Sequence, residues 1–508
     1  GAGGRLPLRA LSGRPAFGGG RGRGLSVSLD GLTLAMVHEM SRRTGTDLTP
    51  RHYDLLEFTH RYHQRHRVGP LLPNLRRYTD TTQAELDELF PFGLHSLYTW
   101  VGIPIQSPHQ SCKPLAHVQV DDPREVYLDH SATTDLRPEV ADCMRGLLEG
   151  ERGFGNPGSS THLGRMAFEA VDTARARVAR VLGVERDELV FTGSGSEANN
   201  LAIKGLLLPR LAAGAHAITT AIEHSSVLEP LRWLASLGLA LTELPCDAEG
   251  LVSAEDVRAA LRPDTALVSV MAANNEIGTV NPLTEIGAIC REAGVPFMVD
   301  AVQAFGKLPL APREQGISLL SLSGHKVHGP KGVGVLFVDR SLELVPLLHG
   351  GGQEQGRRAG TENVASIAGL GLAAELASAE REREMPRLAA LRDALLAALR
   401  RIDPGLVING SLEKRLPHNL SVGFEGVDSG SLLLSLNAIG VYASAGSACH
   451  AGTAEDSHVI RALGLDTGRY GVLRFTVGRR NTEADIEYVG DHLGTILREL
   501  RSAPPANA

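Results

Sequence analysis

From Val126 onward the sequence predicts an α/β fold with a mainly parallel sheet covered by helices, on the strength of three observations. Short strand-like apolar runs alternate with stretches of helical spacing, the pattern of parallel strands joined by crossover helices. A glycine-rich turn, Thr192-Gly193-Ser194-Gly195-Ser196-Glu197, separates one such run from a helical stretch. Unusual polar clusters fall where apolar runs end, and in open α/β sheets that is where ligands gather.

In chain order, residues 1–24 are rich in Gly and Arg, contain no acidic residue and lack a clear amphipathic pattern, so a disordered leader is expected. Residues 25–112 are rich in His, Arg and Leu. There Leu48-Thr49-Pro50 ahead of Leu55, Leu56 and Phe58 predicts a capped helix with Pro in its first turn. His60, His63 and His66 share one face of it. No Cys or carboxylate completes a metal geometry, so a solvated basic face is expected and no metal. Residues 113–125, with Pro114, Asp121, Asp122 and Pro123, form the expected linker.

The large domain is expected over 126–380. Val171, Ala174, Val178, Val181 and Leu182 mark a helical face stopped by Gly183. Strands are expected at Glu188–Thr192, Ala266–Ala272, Val295–Val299, Ile317–Leu322 and Val333–Val338, and a helix through Ala198–Leu208. Leu388, Leu391, Leu395 and Leu399 outline a long helix leading into a smaller C-terminal α+β domain, 381–501, before a disordered tail, 502–508.

The bulk numbers exclude several classes. At 508 residues the chain exceeds a single core, so two or three domains are expected. A formal charge of -7 gives no reason to expect direct nucleic-acid or anionic-membrane binding. No apolar run approaches the ~20 residues of a membrane span. The five cysteines are scattered, without a CxxC pair, which points to a reducing, cytoplasmic compartment.

Chemistry concentrates at the strand ends. Ser323-Gly324-His325-Lys326 follows the apolar run Ile317–Leu322, and a lysine at the mouth of a strand is placed to condense with an aldehyde, as an enzyme using pyridoxal 5'-phosphate requires. The turn Thr192–Glu197 opens a helix whose free N–H groups suit a phosphate, although it lacks the Gly-Lys-Ser/Thr ending of a Walker loop. Asp300 ends Val295–Asp300, and a carboxylate there is costly to bury without a cation such as a protonated pyridine nitrogen; a helix N-cap is its plainer reading. Asn274-Asn275-Glu276 and Gln303 complete the clusters.

With these pieces in place, Val126 to about Leu500 resembles the cysteine desulfurases of the NifS/IscS type, fold-type-I pyridoxal phosphate enzymes. The motifs are Tyr127–Thr134, Gly155–Ser160, Ile222–His224, Ala273–Gly278, Val299–Gln303, Ser323–Lys326, Gly350–Glu354 and Arg358–Thr361. The resemblance implies Lys326 as the Schiff-base lysine, and His224 stacking on the pyridine ring and assisting proton transfer. It implies Asp300 on the ring nitrogen, Gln303 on the phenolic oxygen and Asn275 beside the cofactor. Gly195, Ser196, Ser323 and His325 would hold the phosphate, with Thr361 supplied by the second subunit of a homodimer. Asn156 and Arg474 would bind the substrate carboxylate. Two departures stand out: Ser131 where Ala is frequent, and Ser196 in place of a threonine.

Ser444–Gly452 carries Cys449 among glycines and small residues, a setting for an exposed loop and not for a core cysteine. It resembles the family's persulfide-forming loop. Cysteine would lose its Cα proton to the Lys326 amine, and the Cys449 thiolate would attack the substrate sulfur, leaving alanine and a persulfide for delivery to sulfur-acceptor proteins. Residues from about Asp30 to Cys112 resemble the DsrC/TusE sulfur carriers through Leu48–His52, Phe58, Tyr62, Pro70, Leu89-Phe90-Pro91, Gly102-Ile103-Pro104 and Cys112. Together the two resemblances imply a relay from Cys449 to Cys112, whose polar neighbours suit an accessible thiol. A selenocysteine lyase, a non-catalytic docking scaffold and an aminotransferase are the alternative readings.

Overall fold

A computed structural model of the chain describes residues 29, 31–66, 70, 75, 79–90, 94–101, 124–446 and 457–502. The expected leader 1–24, Pro91, Gly102-Ile103-Pro104, Cys112, the linker up to 123, Cys449 and the tail from 503 lie outside the described residues. Ser502 ends the last helix, Glu483–Ser502.

In the front region the helix expected after Leu48-Thr49 runs over Pro50–His66, with the Thr49 hydroxyl 2.8 Å from His52 Nδ1. Helices Gly31–Thr44, Gln83–Leu89 and Leu94–Trp100 accompany it. Val37, Leu55, Leu56, Leu86, Phe90 and Trp100 form their shared core, with Phe90 edge-on to Trp100 at 5.4 Å between ring centres.

The main sheet has seven strands. In spatial order they are Leu189–Thr192, Gly334–Val338, Leu319–Ser323, Phe297–Asp300, Thr265–Ser269, His216–Thr220 and Ala240–Leu244. Every pairing from Leu319–Ser323 to Ala240–Leu244 is parallel, and Gly334–Val338 alone runs antiparallel to its neighbours. Residues 324–333 are too few for a crossover helix, so the chain must return antiparallel. Most of these strands are buried along their whole length, which fits near-continuous apolar runs covered on both faces.

Two strands of this sheet escape the sequence reading, His216–Thr220 and Ala240–Leu244. His216 and the threonines break the apolar signal of the first. In the fold the His216 ring nitrogens lie 2.9 Å from the hydroxyls of Thr265 and Thr242, so the buried polar group is satisfied across the sheet.

Helix Val364–Ile402, 39 residues long, joins two cores. Val364, Ile367, Leu370 and Ala374 enter the core of the large sheet, whereas Leu388, Leu391, Leu395 and Leu399 enter the second core. The helix passes unbroken through 380 and 381, where the sequence sets its boundary. The second core is closed by antiparallel strands Asn419–Glu425 and Tyr470–Thr476 and helices Ser429–Ala438 and Glu483–Ser502. Val126 and Leu128, expected to open the large domain, also pack in this second core, because Val126–Tyr127 pairs with Val441–Tyr442. Two residues are too short a run for sequence to assign to a sheet. Among the described residues no helix is long and apolar enough to cross a membrane.

Candidate active site

The polar ends of the central strands face one cavity of about 430 Å³, a size suited to a small ligand. Gly195, Ser196, His224, Asn275, Asp300, Gln303, Ser323, His325, Lys326 and Arg474 all line it. They are far apart in sequence and meet because each follows the carboxyl end of a sheet strand or faces those ends.

Lys326 ends the tight turn Gly324–Lys326 directly after strand Leu319–Ser323. Its Nζ donates to the carbonyls of Ser131 and Ala132 at 2.6 and 2.7 Å. The segment bearing those carbonyls is fastened to the lysine turn, since Thr134 donates to the His325 carbonyl from both N–H and hydroxyl, each at 2.9 Å. Burial, with Lys326 nearby, pushes the His325 imidazole down to about 4, so it serves as a neutral ring.

The anion-binding end is the start of helix Gly195–Leu207. Ser194 Oγ caps it by accepting from the Glu197 N–H at 3.0 Å, and Glu197 reaches back to accept from the Gly193 N–H at 2.7 Å. A side chain at 195 would bring a Cβ within 2.8 Å of Val302 Cγ2 and 3.3 Å of Ser323 Cβ. Glycine is therefore required for the helix to approach the strand ends closely enough to offer its N–H groups.

Asp300 closes its strand almost fully buried, at 5% exposure. Oδ1 accepts from the Val302 N–H at 3.0 Å and Oδ2 from Asn199 Nδ2 at 2.8 Å. His224 stands at the start of helix Ser225–Ser236, its Nδ1 2.7 Å from Ser226 Oγ. Beside it Glu223 is fully buried, and desolvation pushes its carboxyl up to about 8, with Asp300 adding to the effect. The polar atoms Gln303 Oε1, Asn199 Oδ1 and Ser131 Oγ are buried with no hydrogen-bond partner in the structure. Such atoms are costly to leave unpaired. The helix start, the Lys326 amine and the Asp300 carboxylate fit a ligand carrying a phosphate, a carbonyl and a protonated ring nitrogen. Of the orphaned atoms the Ser131 hydroxyl can donate to such a ligand, whereas Gln303 Oε1 and Asn199 Oδ1 only accept and call for a donor.

Arg474 is 1% exposed. It pairs with Asp129 Oδ1 at 2.5 Å and donates to the Asn275 carbonyl at 2.9 Å. Its backbone bridges Ser444, at the stem of the segment that carries Cys449. The other stem, Ser457, donates to Glu276 Oε2 at 2.6 Å, and a Cβ on Gly446 would lie 2.8 Å from the same oxygen. Both described ends of 447–456 thus converge beside the cavity. Asn156 does not line it; the residue is exposed, its Oδ1 accepting from the Gly158 N–H at 2.9 Å. Thr361 is likewise exposed and does not line the cavity of its own chain.

Sequence reasoning missed Asn199, Ser226, Asp129, Glu223 and Lys307. Lys307 donates to the carbonyls of Gln303 and Lys326 at 3.2 and 3.1 Å, and burial pushes its amine down to about 7. Asn199 had a detectable signal, an amide one helical turn after Gly195. The others act through contacts that no local spacing announces.

Comparison with known proteins gives consistent findings. The aminotransferase class-V profile matches residues 126–489. The cysteine desulfurase IscS of Dictyoglomus turgidum is 44% identical over 383 residues, covering 75% of this chain and 97% of that protein. The IscS of Methanosarcina thermophila is 45% identical over 383 residues, covering 75% and 94%. Among solved structures, a NifS-like protein matches with a TM-score of 0.69 at 34% identity, over 74% of this chain and 100% of its own. SspA in complex with cysteine matches with a TM-score of 0.61 at 37% identity, over 69% and 98%.

Proposed function

The chain belongs to the class-V aminotransferases and, within them, to the IscS/NifS-type cysteine desulfurases, and from that premise we propose that it converts L-cysteine to L-alanine with pyridoxal 5'-phosphate as cofactor, taking the sulfur as a persulfide on Cys449. The observation that carries this reading is one cavity lined by the Lys326 amine, the buried Asp300 carboxylate and the N-terminus of helix Gly195–Leu207.

When bound, pyridoxal phosphate supplies an electrophilic carbonyl and an electron-withdrawing ring. Lys326 Nζ would hold the first and Asp300 would pair with the ring nitrogen. The N–H groups at Gly195 and Ser196, with Ser323 and His325, would take the phosphate. Gln303 would face the phenolic oxygen, and Asn275 and His224 would flank the ring. Arg474, aimed by Asp129, would bind the cysteine carboxylate. Once the substrate amine has taken its place, the freed Lys326 Nζ would remove the Cα proton. The Cys449 thiolate would attack the substrate sulfur: the S–S bond forms, the C–S bond breaks with its electron pair going to the carbon fragment, which takes up protons to become alanine, and the sulfur stays on Cys449 as persulfide. Cys449 lies outside the described residues, three residues along the chain from Gly446.

We take the enzyme to act in the cytoplasm as a homodimer, in which the exposed Thr361 would serve the partner's site. The front region would be a DsrC/TusE-like carrier that receives sulfur on Cys112. Residues 113–125, if extended, reach ~40 Å, and a tether of that order gives effective concentrations near millimolar.

Borohydride reduction of the enzyme loaded with pyridoxal phosphate, followed by peptide mass analysis, is expected to find the cofactor on Lys326. An adduct elsewhere, or none, defeats the reading. Cys449→Ser is expected to lose nearly all sulfide release, and release at the parental rate would remove Cys449 from the mechanism. Intact-mass analysis during cysteine turnover tests the relay: sulfur that builds up on Cys449 and never appears on Cys112 rules it out.

A further inference from the structure

We propose that Asn199 and Ser226 hold His224 in the tautomer that carries its ring proton on Nε2, so that His224 meets the cofactor pocket with an N–H donor and not with a lone pair. The consequence for catalysis rests on the desulfurase reading above, whereas the tautomer itself follows from the protein's own hydrogen bonds.

The hydrogen bonds run in one direction from Asp300. As a carboxylate Asp300 only accepts, so the end of the Asn199 amide that faces Oδ2 at 2.8 Å is the NH₂. The same Nδ2 lies 2.9 Å from Ser226 Oγ. Its second hydrogen is spent there, and Oγ is the acceptor. The hydroxyl hydrogen of Ser226 is then left for His224 Nδ1, 2.7 Å away. The backbone N–H of Ser226 also donates to Nδ1, at 3.1 Å, where the ring caps helix Ser225–Ser236. Nδ1 therefore faces two donors and has no place for a hydrogen of its own. A neutral imidazole bears one N–H, and here it falls on Nε2. The positive end of the helix dipole reinforces the choice, favouring a lone pair over an N–H at Nδ1.

Glu223 supports the starting point. Desolvation, with Asp300 adding to it, pushes its carboxyl up to about 8, so near neutral pH Glu223 keeps its proton and does not compete as a second carboxylate. The chain of bonds has every member partly or wholly buried, so water competes poorly for it.

With Nε2 already protonated, His224 can donate a hydrogen bond across the pocket but cannot accept a proton there. Proton abstraction from the substrate then falls to Lys326 Nζ alone. Asn199 and Ser226 are positioning residues, acting on the reaction through His224.

Nitrogen NMR of the full-length chain with isotope-labelled histidine tests this, with and without pyridoxal phosphate. The His224 signals are identified by their loss in His224→Gln. The expected result is a protonated, pyrrole-type Nε2 and a pyridine-type Nδ1 in both forms; a protonated Nδ1 in either overturns the proposal. Ser226→Ala removes one donor and is expected to shift the Nδ1 resonance toward an unbonded nitrogen and to lower kcat by about tenfold, with KM for cysteine within about twofold. Ser226→Thr, which restores the hydroxyl, is expected to recover both, and a Ser226→Ala ring with unchanged shifts overturns the assignment. A chain that shows the Nε2–H ring yet never turns over cysteine would sink the desulfurase reading alone. Turnover by a chain with Nδ1 protonated would sink this inference alone.

Discussion

Glu223 occupies one of the most demanding positions in the chain, a carboxyl fully buried beside another acid. Oε1 accepts from the Met271 N–H at 2.7 Å and from the Thr220 hydroxyl at 2.8 Å, yet desolvation still dominates and raises its pKa from 4.5 to about 8. In the unfolded chain the group loses its proton near 4.5, whereas in the folded chain it keeps the proton until about 8. Across that window the folded state binds the extra proton, so Glu223 makes stability fall as pH rises, and the penalty is constant above it. Glu223→Gln keeps the acceptor and removes the titration. Urea midpoints are expected to show the variant gaining on the parent by roughly a few kcal/mol between pH 5 and 8. Equal pH slopes would refute a neutral Glu223. The opposite case is Asp129, which keeps Arg474 paired in a site where the guanidinium is almost fully enclosed. Asp129→Asn keeps an oxygen that can accept from Arg474 but removes the charge that balances the buried guanidinium. Denaturant unfolding is expected to register a loss of roughly 3 kcal/mol, and KM for cysteine should rise as the arginine loses its aim.

At the scale of elements, close approach outweighs intrinsic helix preference. Gly371 lies within helix Val364–Ile402, where alanine would ordinarily be favoured by up to about 1 kcal/mol. However, a Cβ there would sit 2.6 Å from the Cα of Ala174 in helix His162–Leu182, and backbone cannot move aside cheaply. Gly371→Ala is therefore expected to destabilise the protein by about 1–3 kcal/mol in chemical denaturation. A neutral or stabilising result would mean that the two helices are free to separate. The glycine-rich turn obeys the same logic at Gly195, where contact with Val302 and Ser323 fixes how near the helix start comes to the pocket.

At the scale of the whole molecule, the hydrophobic clusters divide cleanly among the described residues. The clusters around the main sheet and the second core draw only on residues from Val126 onward, and the front cluster draws on residues between Leu29 and Val101. Removal of residues 1–123 is accordingly expected to leave cysteine turnover within about twofold of the full chain. A collapse of turnover or of expression would show that the front region supports the catalytic core.

That division also marks how much the sequence alone could reveal. The α/β class, the glycine-rich turn, the strand ending in Asp300 and the lysine at 326 were legible because each is written in contiguous residues whose periodicity or turn chemistry is local. The same locality made the long helix visible through Leu388, Leu391, Leu395 and Leu399. Strand His216–Thr220 stayed hidden because its polar residues are satisfied by Thr242 and Thr265, which only the sheet brings near. The short run at Val126 could not disclose that its partner is Val441, hundreds of residues away. Likewise, no spacing tells that Asn199 joins Ser226 to Asp300, or that Asp129 faces Arg474. Sequence by itself determined the kind of fold and the reactive groups, since propensity and chemistry belong to the residues. Tertiary structure alone decided which of those groups touch, how the buried charges are paired and which proton sits where, because these depend on distances set by packing.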